Sequence, residues 1–150
     1  MGLKLGVDGK TRALEVNAGK SITNITTIYV GLLQAAPANM DGMSLATLIS
    51  SGQGNEFSVD PSFYTGRQAI TIGSTTADAD GAYANNSGSV IEWTNTTGYD
   101  VEVAGFFITT VSTGSSGLVL WVGTPDAGTS TIPNTQKASI SVGDLLLKVD

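Results

Sequence analysis

The stretch that decides the fold class is VEVAGFFITTVSTGSSGLVLWVG, residues 101–123. Its two arms are rich in β-branched and aromatic residues, which favour pleated strands, and a polar turn at residues 113–117 joins them. Successive side chains of a strand point to opposite faces, and near the middle of the first arm both faces are apolar. We therefore predict a hairpin at the centre of the core, covered on both faces.

The rest of the chain alternates short strand-like segments with turns, which is typical of all-β proteins. Only 13% of the residues are charged, against about 25% in ordinary domains. One short helix is predicted at residues 45–49, with Ser44 as its N-cap and Gly52 beyond its end. We predict a single antiparallel β-sandwich of jelly-roll type, spanning residues 21–150.

The first 20 residues are predicted to form an N-terminal β-hairpin or arm. Residues 3–7 and 12–16 alternate apolar and polar or small side chains, and Asp8-Gly9 lies between them. An Asp-Gly pair between two alternating runs is a strong hairpin signal. We expect this arm to be either an attachment segment or an ordinary exposed hairpin.

Composition narrows the possible partners. The chain has no cysteine and no histidine, which removes thiolate sites and the usual general base. A net charge of −6 argues against a nucleic-acid partner. The first residues lack the apolar core of a signal peptide and no apolar run approaches 18 residues, so we expect no membrane partner. We also expect no cofactor and no bound metal.

One pair of carboxylates is a candidate for catalysis. Glu92 and Glu102 lie on neighbouring predicted strands with Asp100 close by, and two carboxylates about 5–9.5 Å apart can hydrolyse a glycosidic bond. Strand glutamates are more often simply solvated, and the chain shows no nucleophile motif and no phosphate-binding loop. We expect a protein that is not an enzyme, with this hydrolase as an alternative.

Aromatic residues offer a second kind of site. Of the four tyrosines and two tryptophans, most lie within strand-like runs, where they pack in a core or an interface. Tyr83 and Tyr99 lie in predicted loops at residues 73–88 and 95–100. These two are the candidates for stacking on a ligand such as a sugar.

The order of the segments resembles a family of small bacteriophage virion proteins, found as capsid decoration (cement) proteins and under tail-fibre labels. The residues that carry the resemblance are IYVGL at 28–32, DG at 41–42, SLATL at 44–48, YTGRQAI at 64–70, VIEW at 90–93, VAGFFI at 103–108, LVLWVG at 118–123 and ISVGD at 140–144. They cover about residues 28–150. The family tends to begin with a helix, whereas residues 3–16 here are predicted to form a hairpin.

The resemblance implies a non-enzymatic structural protein, most concretely a decoration protein on the capsid exterior of the virion, made in the host cytoplasm. Its partners would be the major capsid protein and further copies of itself in a homotrimer. Four of the seven basic residues lie within the first 20 positions. We therefore predict capsid contacts at Lys4, Lys10 and Arg12.

The alternative is a receptor- or carbohydrate-binding module of a tail fibre, using Tyr83 and Tyr99.

The central hairpin adds a prediction about assembly. A sandwich strand needs only one covered face, so a second apolar face requires another partner. In a trimer this partner would be the neighbouring subunit. We therefore predict Phe106, Ile108 and Trp121 as subunit-interface residues.

Overall fold

The computed structural model describes residues 2–21, 25–36, 38–78 and 81–149. Within these ranges the helices are α1 (Val7–Asn17) and α2 (Leu45–Leu48), and a 3-10 turn spans Met40–Gly42. The strands are β1 (Gly2–Leu5), β2 (Ile28–Leu33), β3 (Gln68–Ile72), β4 (Thr76–Asp78), β5 (Gly81–Ser87), β6 (Ile91–Thr94), β7 (Val101–Val103), β8 (Gly105–Thr109), β9 (Val119–Thr124), β10 (Ser130–Ile132), β11 (Lys137–Ile140) and β12 (Leu146–Val149). The predicted all-β class is confirmed.

The main sheet has the strand order β12-β1-β9-β8-β2-β3-β5-β4, and β12 also pairs with β5, so the sheet curls back on itself. Its pairings are antiparallel except for a short parallel contact of β1 with β12. Two smaller sheets, β7 with β10 and β6 with β11, contribute side chains to the same core. The sandwich-like antiparallel architecture is confirmed, whereas the jelly-roll connectivity stays a prediction.

The predicted central hairpin is formed by β8 and β9, joined by residues 110–118. Strand β8 lies between β2 and β9, and all five of its residues are buried. The first arm is interrupted at Ala104, so β7 leaves the main sheet and pairs with β10. Phe106 and Ile108 pack into the main core, whereas Phe107 packs into a second cluster on the opposite face. The prediction that the centre of this hairpin is buried on both faces is confirmed.

Helix α2 covers this second face. Leu45 and Leu48 are buried against Phe107 in the second cluster. The helix begins as predicted, because the Ser44 hydroxyl oxygen accepts a hydrogen bond from the Thr47 amide at 3.3 Å. The hairpin therefore finds the partner for its second face within the same chain.

The predicted N-terminal hairpin is wrong. Residues 2–5 form β1, which pairs with β9, and the chain then enters α1 instead of a return strand. Asp8 lies in the first turn of α1, and its carboxylate accepts a hydrogen bond from the Val119 amide at 2.8 Å. The N-terminal residues are thus part of the body of the protein and do not form a projecting arm.

The physical reason lies in the packing of α1 on β9. Gly9 approaches the Leu120 carbonyl so closely that any Cβ at this position would collide with it. The glycine of the Asp-Gly pair therefore allows helix–strand contact rather than a tight turn. The alternation over residues 12–16 did not mark a buried strand face, since Leu14 and Val16 both remain exposed on α1.

Candidate functional site

A buried charged cluster lies beside the central hairpin. The Arg67 guanidinium binds both carboxylate oxygens of Glu56, with Nε to Oε1 at 2.8 Å and Nη2 to Oε2 at 2.7 Å. The same guanidinium donates to the carbonyls of Val111 (3.2 Å) and Gly114 (2.8 Å) in the loop of the hairpin. The Arg67 side chain is only 2% exposed. Because its charge is paired and its hydrogen bonds are satisfied, this cluster is structural.

Tyr64 completes the cluster. Its hydroxyl donates a hydrogen bond to Glu56 Oε1 at 2.7 Å. The pKa of the Tyr64 phenol is raised well above its usual range, chiefly because the group is buried and also because of this hydrogen bond and the negative charge of Glu56. Sequence reasoning missed this ion pair. Its partners are 11 residues apart in a segment without regular structure.

An open cleft of about 460 Å³ lies on the other side of Tyr64. It combines aromatic rings with polar side chains and is lined by Gln34, Phe57, Ser58, Asp60, Phe63, Tyr64, Thr97, Tyr99, Asp100, Val101 and Glu102. Of these, Tyr99 is 65% exposed. No lysine or arginine is among the described residues that line the cleft.

The loop that carries Tyr99 is fixed by the buried Asn95. The Asn95 side-chain amide donates to the carbonyls of Tyr99 and Ile132, both at 2.8 Å, and its Oδ1 accepts from the Thr97 amide and hydroxyl. The Tyr99 backbone is thus held from within the protein while its ring stays exposed.

The facing loop is equally well ordered. The Asp60 carboxylate accepts a hydrogen bond from the Ser62 amide at 2.7 Å, and this bond lowers the pKa of Asp60. The Thr96 amide donates to the Ser62 carbonyl at 2.7 Å, so the two loops are joined directly. The cleft is therefore preformed, which reduces the ordering cost of binding a ligand.

The structure separates the two predicted stacking residues. Tyr83 is half-buried on β5, opposite Lys148 of β12 and Thr76 of β4, and the prediction that it lies in a loop is wrong. It does not line the cleft that holds Tyr99. The loop prediction was correct for Tyr99.

The two glutamates of the hydrolase alternative lie in different small sheets. Glu92 on β6 forms an ion pair with Lys137 at 2.6 Å, whereas Glu102 on β7 lines the cleft. Glu92 is not among the lining residues, so the cleft does not combine this pair.

The predicted capsid-contact residues lie on β1 and α1. Lys10 forms an ion pair with Asp41 at 2.7 Å, and this hydrogen bond, with the charges of Lys10 and Lys4, lowers the pKa of the Asp41 carboxyl. Lys4 is exposed, whereas Arg12 is partly buried beside Val16 in an apolar groove. The role of the three residues in capsid binding stays a prediction.

The predicted subunit interface is wrong for two of its three residues. Phe106 (2% exposed) and Ile108 (0%) are enclosed in the main core of a single chain and present no surface to a partner. Trp121 is partly exposed, and its indole donates to the Lys148 carbonyl at 3.2 Å. It lines two adjoining apolar cavities that also share Ile25 and Leu120, and its role at an interface stays a prediction.

The outward face of α1 is partly apolar. Val7 and Leu14 lie seven residues apart, on the same side of the helix as Lys10, and Leu14 is 70% exposed. Sequence reasoning missed this face because it assigned these residues to a strand.

The described residues contain no group of three or more acidic side chains arranged to hold a metal ion. None of their helices is long and apolar enough to cross a membrane. Neither protein-family models nor curated proteins give a match to this chain.

Proposed function

We propose that the chain is a non-enzymatic structural protein of a bacteriophage that decorates the outside of the capsid by binding the major capsid protein. The observation that carries the proposal is the outward face of α1, where Val7 and Leu14 are exposed beside Lys10. A contiguous exposed apolar patch rimmed by polar side chains is typical of a protein-binding surface. The order of segments that resembles phage virion proteins supports the same conclusion, and α1 supplies an N-terminal helix of the kind found in that family.

The mechanism is mass action. A protein that binds only the assembled shell stabilises it by RT ln(1 + [L]/Kd). Several weak contacts made by one oligomer strengthen each other through a high effective concentration. No catalytic residue is needed.

Co-sedimentation with undecorated capsids of the same phage tests the proposal. We expect the wild-type chain to sediment with the shells and to raise the temperature at which they disrupt. Changing Val7 and Leu14 together to Ser should weaken binding at least tenfold. Both side chains are exposed, so the free energy of unfolding should change by only about 0.5 kcal/mol per site.

Val90→Ser is the matched control, since Val90 is 48% exposed in the segment before β6. It should bind capsids like the wild type. Absence of wild-type binding, or equal loss in both variants, would contradict the proposal. Deleting residues 1–17 is not a suitable test, because it removes β1 from the main sheet.

We further propose that the decoration protein is a homotrimer assembled around Trp121. The adjoining cavities beside this residue have volumes of about 340 and 580 Å³, and the exposed Val16 lines the smaller one. Light scattering should give the mass of three chains, and Val16→Asp should shift it towards one chain. A wild-type monomer at the concentrations that decorate capsids would contradict this assembly.

A further inference from the structure

We propose that the cleft between residues 57–64 and 97–102 binds a neutral saccharide, a function beyond capsid decoration. The aromatic side chain that would receive the sugar is Tyr99, which lines the cleft and is 65% exposed. The apolar face of a pyranose packs on such a ring, while its hydroxyl groups need hydrogen-bonding partners around it.

The cleft supplies those partners. The side chains of Gln34, Asp60, Asp100 and Glu102 line it and are exposed. Carboxylate and amide oxygens accept hydrogen bonds from sugar hydroxyls. At about 460 Å³ the cleft also lies within the range of small-molecule sites, about 300–1,000 Å³.

The charge of the cleft selects among sugars. Three carboxylates and no basic side chain are among its described lining residues. An acidic sugar such as a uronate or a sialate would place a further negative charge beside them and is therefore disfavoured. The chemistry fits a neutral hexose or N-acetylhexosamine unit.

The site is held in place before the ligand arrives. The buried Asn95 fixes the Tyr99 carbonyl, and the Thr96–Ser62 hydrogen bond joins the two loops. A backbone that is already held by hydrogen bonds loses little conformational freedom on binding. Tyr83 lies on β5 of the main sheet and does not line the cleft.

A glycan array that contains neutral, amino and acidic saccharides, followed by calorimetric titration of the best binder, tests the proposal on the full chain. We expect wild-type binding to neutral saccharides and at least a tenfold loss of affinity in Tyr99→Ala. Tyr83→Ala is the matched control and should bind within about twofold of the wild type. Thermal unfolding of each variant verifies that the fold is intact.

The charge selection has its own test. The double variant Asp100→Asn and Glu102→Gln keeps the shape of the cleft and removes two charges, so it should gain affinity for acidic saccharides relative to the wild type. No binding to any saccharide, a wild-type preference for acidic ones, or unchanged binding in Tyr99→Ala would overturn the proposal. Capsid binding by Tyr99→Ala should equal that of the wild type, so the two functions can fail independently.

Discussion

Two polar regions of the molecule meet at Tyr64 and differ in how their charges are satisfied. On one side, the Glu56 carboxylate accepts one hydrogen bond from Tyr64 and two from Arg67, so its charge is satisfied within the protein. On the other side, Asp60 and Glu102 line an open cleft beside an exposed tyrosine. A buried charge needs its partners inside the fold, whereas an exposed carboxylate in a cleft can exchange water for a ligand. The first region holds the structure together, and the second is available for binding.

The largest effect is expected from breaking the buried pair. Arg67→Met leaves Glu56 buried without its cation and should lower the free energy of unfolding by about 3–5 kcal/mol, measured by urea denaturation. The double variant Arg67→Met and Glu56→Gln removes both charges and should recover part of the loss. A single variant as stable as the wild type would show that the cluster is not structural.

A smaller loss is expected at Gly31, which lies beneath the same cluster. A Cβ there would be 2.5 Å from the Phe107 ring and 2.9 Å from the Tyr64 hydroxyl, and both side chains are buried. Gly31→Ala should cost about 1–3 kcal/mol through overpacking, seen as a lower melting temperature. Gly42 faces open space and has no positive φ, so Gly42→Ala should leave the melting temperature nearly unchanged.

On the cleft side, Asn95→Ala should affect both stability and binding. It removes the buried amide that holds the Tyr99 carbonyl, which should cost about 1–3 kcal/mol. It should also weaken saccharide binding by loosening the loop. The control is Asn134→Ala, which removes only a hydrogen bond at the exposed Gly98 amide, 3.0 Å long, and should be milder in both assays. Equal effects would contradict the role given to Asn95.

The smallest effect is expected at Asp60, and it depends on pH. Because the Ser62 amide lowers the pKa of this carboxyl in the folded protein, the ionised form contributes stability above the unfolded-state pKa. This contribution is lost as the pH falls through the folded-state pKa. NMR titration should place the Asp60 pKa below the ordinary value of about 3.9, and an ordinary or raised value would contradict the hydrogen bond. The free energies of unfolding of Asp60→Asn and of the wild type should differ least in acid.

Local patterns were sufficient for much of the fold. The all-β class, the central hairpin, its burial on both faces and the short helix after Ser44 all follow from residues close together in the chain. The N-terminal segment was not predictable in this way. An Asp-Gly pair suits both a hairpin turn and the first turn of a helix, and the contact of Gly9 with Leu120 resolves the choice.

The sequence by itself determined the strand-forming segments, the exposed tyrosine in the loop at residues 95–100 and the absence of cysteine and histidine chemistry. Only the tertiary structure decided that α2 covers the Phe107 face of the hairpin and that the main core encloses Phe106 and Ile108, which removes these two residues from any interface. It also decided which carboxylates are neutralised within the fold and which line the cleft. The physical reason is that strand periodicity is a property of neighbours in sequence, whereas the covering of a face and the pairing of a charge depend on residues far apart in the chain.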